Sequence, residues 1–120
     1  MNGYRDLKVY QEAHRLGVVI HKFSLKMPKF ELYETGAQIR RASKSISANI
    51  VEGYGRRRYQ ADYVKFLVYA QSSCDETNEW LTYMADLYEN LAVEGQALLA
   101  EIDGLGRQIN SFIQSVEART

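Results

Sequence analysis

The chain has 120 residues, 46% apolar and 25% charged, the size and make-up of one globular domain spanning residues 1–120. A formal net charge of zero excludes a uniformly basic nucleic-acid coat, and a single cysteine, Cys74, excludes an internal disulfide. No run approaches the roughly 20 apolar residues of a membrane helix, and the polar stretch Met1 to Tyr10 lacks a signal-peptide core, so a cytoplasmic protein is expected.

Four amphipathic segments follow in order, each with apolar positions spaced three and four apart. The first runs from about Asp6 to Met27, with Val9, Ala13, Leu16, Ile20 and Phe23 on one stripe. Asp6 is its expected N-cap, and Pro28 closes it by disfavouring helix in the preceding residue. The second runs from about Phe30 to Gly53 on Leu32, Gly36, Ile39, Ser43, Ile46 and Ile50. The Gly53-Tyr54-Gly55 element is too short for a phosphate loop and reads as a helix end with a left-handed glycine. The third runs from about Gln60 to Asn90 on Tyr63, Leu67, Ala70, Cys74, Thr77, Leu81, Met84 and Tyr88. The fourth, about Val93 to Ala118, carries Leu98, Ile102, Leu105, Ile109, Phe112 and Val116. Gly104 and Gly106 weaken it and point to a kink or an unusually close contact. Short links between long helices force neighbours to run in opposite directions. The predicted fold is therefore all-α, an antiparallel up-down-up-down four-helix bundle.

The zero net charge hides an asymmetry. Residues 1–60 hold 12 Lys/Arg against 5 Asp/Glu, and residues 61–120 hold 3 against 10. Either a localised basic site or salt bridging between the halves accounts for it. Arg40, Arg41 and Lys44 lie within about one turn of the second segment, and Tyr54, Arg56, Arg57, Arg58 and Tyr59 follow it. Arginines among tyrosines combine phosphate contacts with rings on which bases stack, and the next helix N-terminus adds N–H donors. These residues form the candidate RNA-binding site. The alternative is a solvated loop paired with acidic groups.

The third segment has a second stripe, with Phe66, Tyr69, Glu76, Trp80 and Tyr83 as candidate oligomer contacts, because one core cannot cover so wide a face. If buried, Glu76 needs a partner, and Arg40 and Arg41 are the expected ones. His14 and His21 share a helix face, but no second cluster completes a metal site, so neither metal nor cofactor is expected. Arg15 and His21 offer a weak ribonuclease-like spacing, about 120° out of line on a helix. With no convergent acid, base and nucleophile, an enzyme is not expected.

The run Asp6-Leu7-Lys8-Val9-Tyr10-Gln11-Glu12-Ala13 and the block from Gln38 through Ser45-Ile46-Ser47-Ala48-Asn49-Ile50 to Arg56 carry a resemblance. So does Phe66-Leu67-Val68-Tyr69-Ala70-Gln71-Ser72-Ser73 with Glu76 beyond it. The chain resembles the bacterial four-helix-bundle family, also called the 23S ribosomal RNA intervening-sequence protein family. The resemblance implies a bundle assembled into a homopentameric ring. The family is also similar to accessory proteins of diversity-generating retroelements, which bind RNA and a reverse transcriptase. One departure is Ser47, where the family commonly has proline; serine supplies the N–H that proline lacks. Arg40, Arg41, Asn49, Glu52, Gly53 and Glu76 match the pattern, which implies structural and interfacial roles, the arginines doubling as phosphate contacts. In a head-to-tail ring, the basic half of one subunit would meet the acidic half of the next. A scaffold subunit without a nucleic-acid role is the alternative.

Overall fold

The computed structural model describes residues 3–119; Met1, Asn2 and Thr120 lie outside it. Among the described residues are α1 (Lys8–Ser24), α2 (Thr35–Gly55), α3 (Gln60–Leu87), α4 (Ala92–Glu117) and no strand. Short 3₁₀ turns occupy Tyr4–Asp6, Lys29–Glu31 and Glu89–Leu91. The rod measures 49 × 22 × 22 Å.

The stripes form one core. Val9, Ala13, Leu16, Ile20 and Phe23 of α1 meet Ile39, Ile46 and Ile50 of α2, Leu67, Ala70, Cys74, Leu81 and Met84 of α3, and Leu98, Ile102, Leu105 and Ile109 of α4. On α4 the buried residue is Ile113, while Phe112 is half-buried and stands edge-on to Tyr63 at 6.1 Å. α1 packs chiefly on α2 and meets α4 along a thinner seam, closed by Arg15–Glu101 at 2.6 Å and Lys26–Glu94 at 2.7 Å. Both pairs join the basic half of the chain to the acidic half, so salt bridging absorbs part of the charge asymmetry.

The helix limits depart from expectation in three places. Asp6 is not the N-cap of α1: it ends a 3₁₀ turn, and Leu7, with no polar side chain, precedes the helix. α2 begins at Thr35 rather than near Phe30, because Pro28 leads into a 3₁₀ turn and Glu34 has non-helical angles. No left-handed glycine ends α2 either. The helix runs through Gly53 and Gly55, and Gly3 is the glycine with positive φ among the described residues. Gly53 serves close approach instead, since a Cβ there would lie 3.2 Å from Phe66 Cβ and from the Tyr63 carbonyl oxygen of α3. α4 is continuous, and a Cβ on Gly104 or Gly106 would make only ordinary contacts.

Two links mark the ends of the rod. The Tyr88 hydroxyl donates to Glu31 Oε2 at 2.6 Å, tying the α1–α2 connection to the start of the α3–α4 connection. Gln60 Nε2 donates to the Val116 carbonyl at 2.6 Å, tying the start of α3 to the end of α4. No helix among the described residues is long and apolar enough to cross a membrane.

Candidate nucleic-acid interface

At the α2–α3 turn each arginine of the triplet lies over a ring. Arg56 sits 4.7 Å from the centroid of Phe66, Arg57 4.0 Å from that of Tyr54 and Arg58 5.7 Å from that of Tyr59. Their acid pairing differs. Arg56 Nε donates to Glu52 Oε2 at 3.2 Å, and its guanidinium lies 3.9 Å from Asp62. Arg57 donates to the Tyr54 carbonyl at 2.9 Å, an oxygen that also accepts the Arg57 backbone N–H at 3.2 Å where α2 ends. Among the described residues, neither Arg57 nor Arg58 has a carboxylate partner. Both are exposed, as is Tyr59. The local sequence explains this: three consecutive arginines exceed the carboxylates within reach, and Arg56 holds both.

The other half of the predicted site is elsewhere. From Lys44 to Arg56 the rise along α2 is about 18 Å, so the two groups do not form one patch. Arg40 is a structural residue: its guanidinium donates to Ser24 Oγ at 2.9 Å and to the Leu32 carbonyl, pinning α2 to the preceding connection. Arg41 is exposed and lines a shallow groove with Tyr33, Gln38 and Trp80. Lys44 lines a groove of about 340 Å³ between α1 and α2 with His14, Gly17, Val18, His21 and Lys22. Partial burial, with Lys44 and Arg40 nearby, pulls His21 below its usual range. Arg15 lies toward α4, held by Glu12 and Glu101, so Arg15 and His21 do not converge on a common substrate position.

Glu76 is not buried and does not pair with Arg40 or Arg41. It is exposed, and its Oε2 accepts from Trp80 Nε1 at 3.1 Å, one helical turn away. Around it, Tyr69, Tyr83 and Leu87 are 44%, 46% and 58% exposed. Phe66 stands edge-on to Tyr69 at 5.4 Å, and Trp80 lies 5.9 Å from Tyr83. The inner edge of this face meets α2 through Ser73 and Ser45, 2.9 Å apart, and Asn49 donates back to Ser45. Cys74 is buried, its thiol pushed up to about 12 by desolvation first and then by Asp75 and Asp103. Among the described residues no group of three or more His, Cys, Asp or Glu could hold a metal ion.

Sequence reasoning missed a recess of about 370 Å³ at the arginine end, lined by Arg57, Arg58, Gln60, Tyr63, Val116 and Arg119. Its lining comes from residues 57–63 and from residues 116 and 119, so no local motif announces it.

Fold and site together define an all-α four-helix protein with an arginine end backed by rings and an aromatic face along its longest helix. Residues 5–111 match the family model described as 23S rRNA-intervening sequence protein, and the chain belongs to that family. No curated protein matches it.

Proposed function

We propose that the protein is a non-catalytic, homo-oligomeric bundle of the cytoplasm that binds RNA or a ribonucleoprotein through Arg56, Arg57 and Arg58. The observation that carries this reading is that Arg57 and Arg58 lie over tyrosine rings with no carboxylate partner among the described residues. Guanidinium groups left without acids suit phosphates, and exposed rings suit stacked bases. The family to which the chain belongs carries the description 23S rRNA-intervening sequence protein. The helices are proposed to run up-down-up-down. Support comes from α3 and α4, where Gln60 bonds Val116, Cys74 bonds Ile102 and Ala85 faces Gly95, an order that reverses along the two helices. The aromatic face of α3 supports self-assembly, and the resemblance to the family supports a pentameric ring.

Fluorescence anisotropy with single-stranded RNA over a range of salt tests the RNA reading. Affinity should fall with salt, with a log–log slope of about −0.7 per phosphate contact. Changing Arg56, Arg57 and Arg58 together to Ala should weaken binding by about tenfold or more and flatten that slope. Binding that is absent, or indifferent to salt, rejects the reading. The exposed Tyr69, Tyr83 and Leu87 favour a second reading, a scaffold subunit with no nucleic-acid role. In that case the triple change would alter the particle mass seen by light scattering, and RNA would not bind.

A further inference from the structure

We infer that the recess between the start of α3 and the end of α4 is a phosphate monoester site, taking the terminal phosphate of an RNA strand. The inference rests on the RNA reading above and deepens it, adding Arg119 and the floor of the recess to Arg57 and Arg58. The recess brings together Arg57 and Arg58 from the α2–α3 turn and Arg119 from beyond α4, and no acidic side chain lines it. Among the described residues none of these three arginines has a carboxylate partner, because Glu52 and Asp62 both go to Arg56. Arg57 is fixed in place by the Tyr54 ring and carbonyl, which leaves its other N–H donors for a ligand.

The floor supports a ligand that ends here. Tyr63 and Val116 are buried core residues, and Gln60 closes one side by bonding the Val116 carbonyl. Desolvation raises the Tyr63 hydroxyl above its usual range, while Arg119 and Arg57 draw it back, so both cations lie close to this floor. The end of a strand can rest against such a floor. A monoester also carries a charge of about −1.5 to −2 near neutral pH, against −1 for an internal diester, and so better matches three guanidiniums. A volume of about 370 Å³ falls within the range of small-molecule sites.

The test compares one oligoribonucleotide bearing a 5′-phosphate with the same strand bearing a 5′-hydroxyl, by anisotropy on the full chain. The phosphorylated strand should bind about five- to tenfold more tightly. Arg119→Ala should erase that difference while leaving affinity for the hydroxyl strand nearly unchanged, and Arg119→Gln, which removes the charge but keeps the side-chain stem, provides a second variant should Arg119→Ala disturb folding. Equal affinities overturn the recess and leave the RNA reading standing. In parallel, inorganic pyrophosphate is titrated against arginine side-chain NMR signals. If neither strand binds but the signals of Arg57, Arg58 and Arg119 shift together, the site holds for free phosphates and the RNA reading falls. If neither strand binds and no signal moves, both fall.

Discussion

Glu31 is the buried charged side chain among the described residues, and its carboxylate is held below the usual range first by the Tyr88 hydroxyl and then by Thr35. A depressed carboxylate favours the folded state fully above its ordinary value of 4.5, and that support is lost as pH falls through the lower folded value. The same bond pushes Tyr88 up to about 12, so its share is intact below pH 10 and is lost as pH climbs through 12. Tyr88→Phe should therefore lower the melting temperature at pH 7, with the gap to wild type closing below pH 4.5. A gap independent of pH would contradict the charged bond. Arg40 makes a similar tie, and Arg40→Met should destabilise by about 1–3 kcal/mol in chemical denaturation, since Ser24 and the Leu32 carbonyl lose their donor. Cys74 supplies an internal clock. Thiolate is the reactive form, so labelling by a disulfide reagent at neutral pH should proceed only as fast as the chain opens.

At the scale of helices, glycines divide by what surrounds them. Gly104 faces only the tip of Arg107, and Gly104→Ala should raise stability by about 0.5–1 kcal/mol through helix propensity. At Gly53 a new Cβ would press on α3 backbone and on Phe66 Cβ at 3.2 Å, so Gly53→Ala should cost about 1 kcal/mol net despite the same propensity gain. Urea titrations of the two variants should move in opposite directions. Four helices and nearly all of the core were legible in the stripes, because periodicity is a property of the sequence itself. The start of α2 was not. Leu32, Gly36 and Ile39 keep helical spacing across Glu34, where the backbone breaks, and nothing in that spacing records backbone angles. The internal bonds of Arg40 were hidden for a related reason: one of its partners is a carbonyl, which carries no residue-type signature.

Across the whole molecule, the three most exposed large apolar side chains and the arginine cluster lie apart. Phe30 and Tyr33 of the α1–α2 connection and Val93 at the start of α4 are at least 70% exposed, and Arg56, Arg57, Arg58 and Arg119 gather at the opposite end. The candidate site was half legible. The Arg56–Arg58 run shows itself in the sequence, whereas Arg119 joins it through the packing of α4 along α3, with Gln60 bonding the Val116 carbonyl beside it. The proposed self-assembly should depend on the α3 face and not on the arginines. Tyr69→Glu combined with Tyr83→Glu should reduce the mass seen by light scattering to that of one chain, with helical circular dichroism preserved. The thin contact between α1 and α4 carries a further consequence. Its two ion pairs are each about half solvent-exposed, and such pairs contribute ~0.2–1 kcal/mol and fade in salt. That edge should be the first of the bundle to come unlatched, with α1 swinging out as a leaf hinged on its turn into α2. Its amides should trade hydrogen for deuterium before those of α3, and sooner still in concentrated salt.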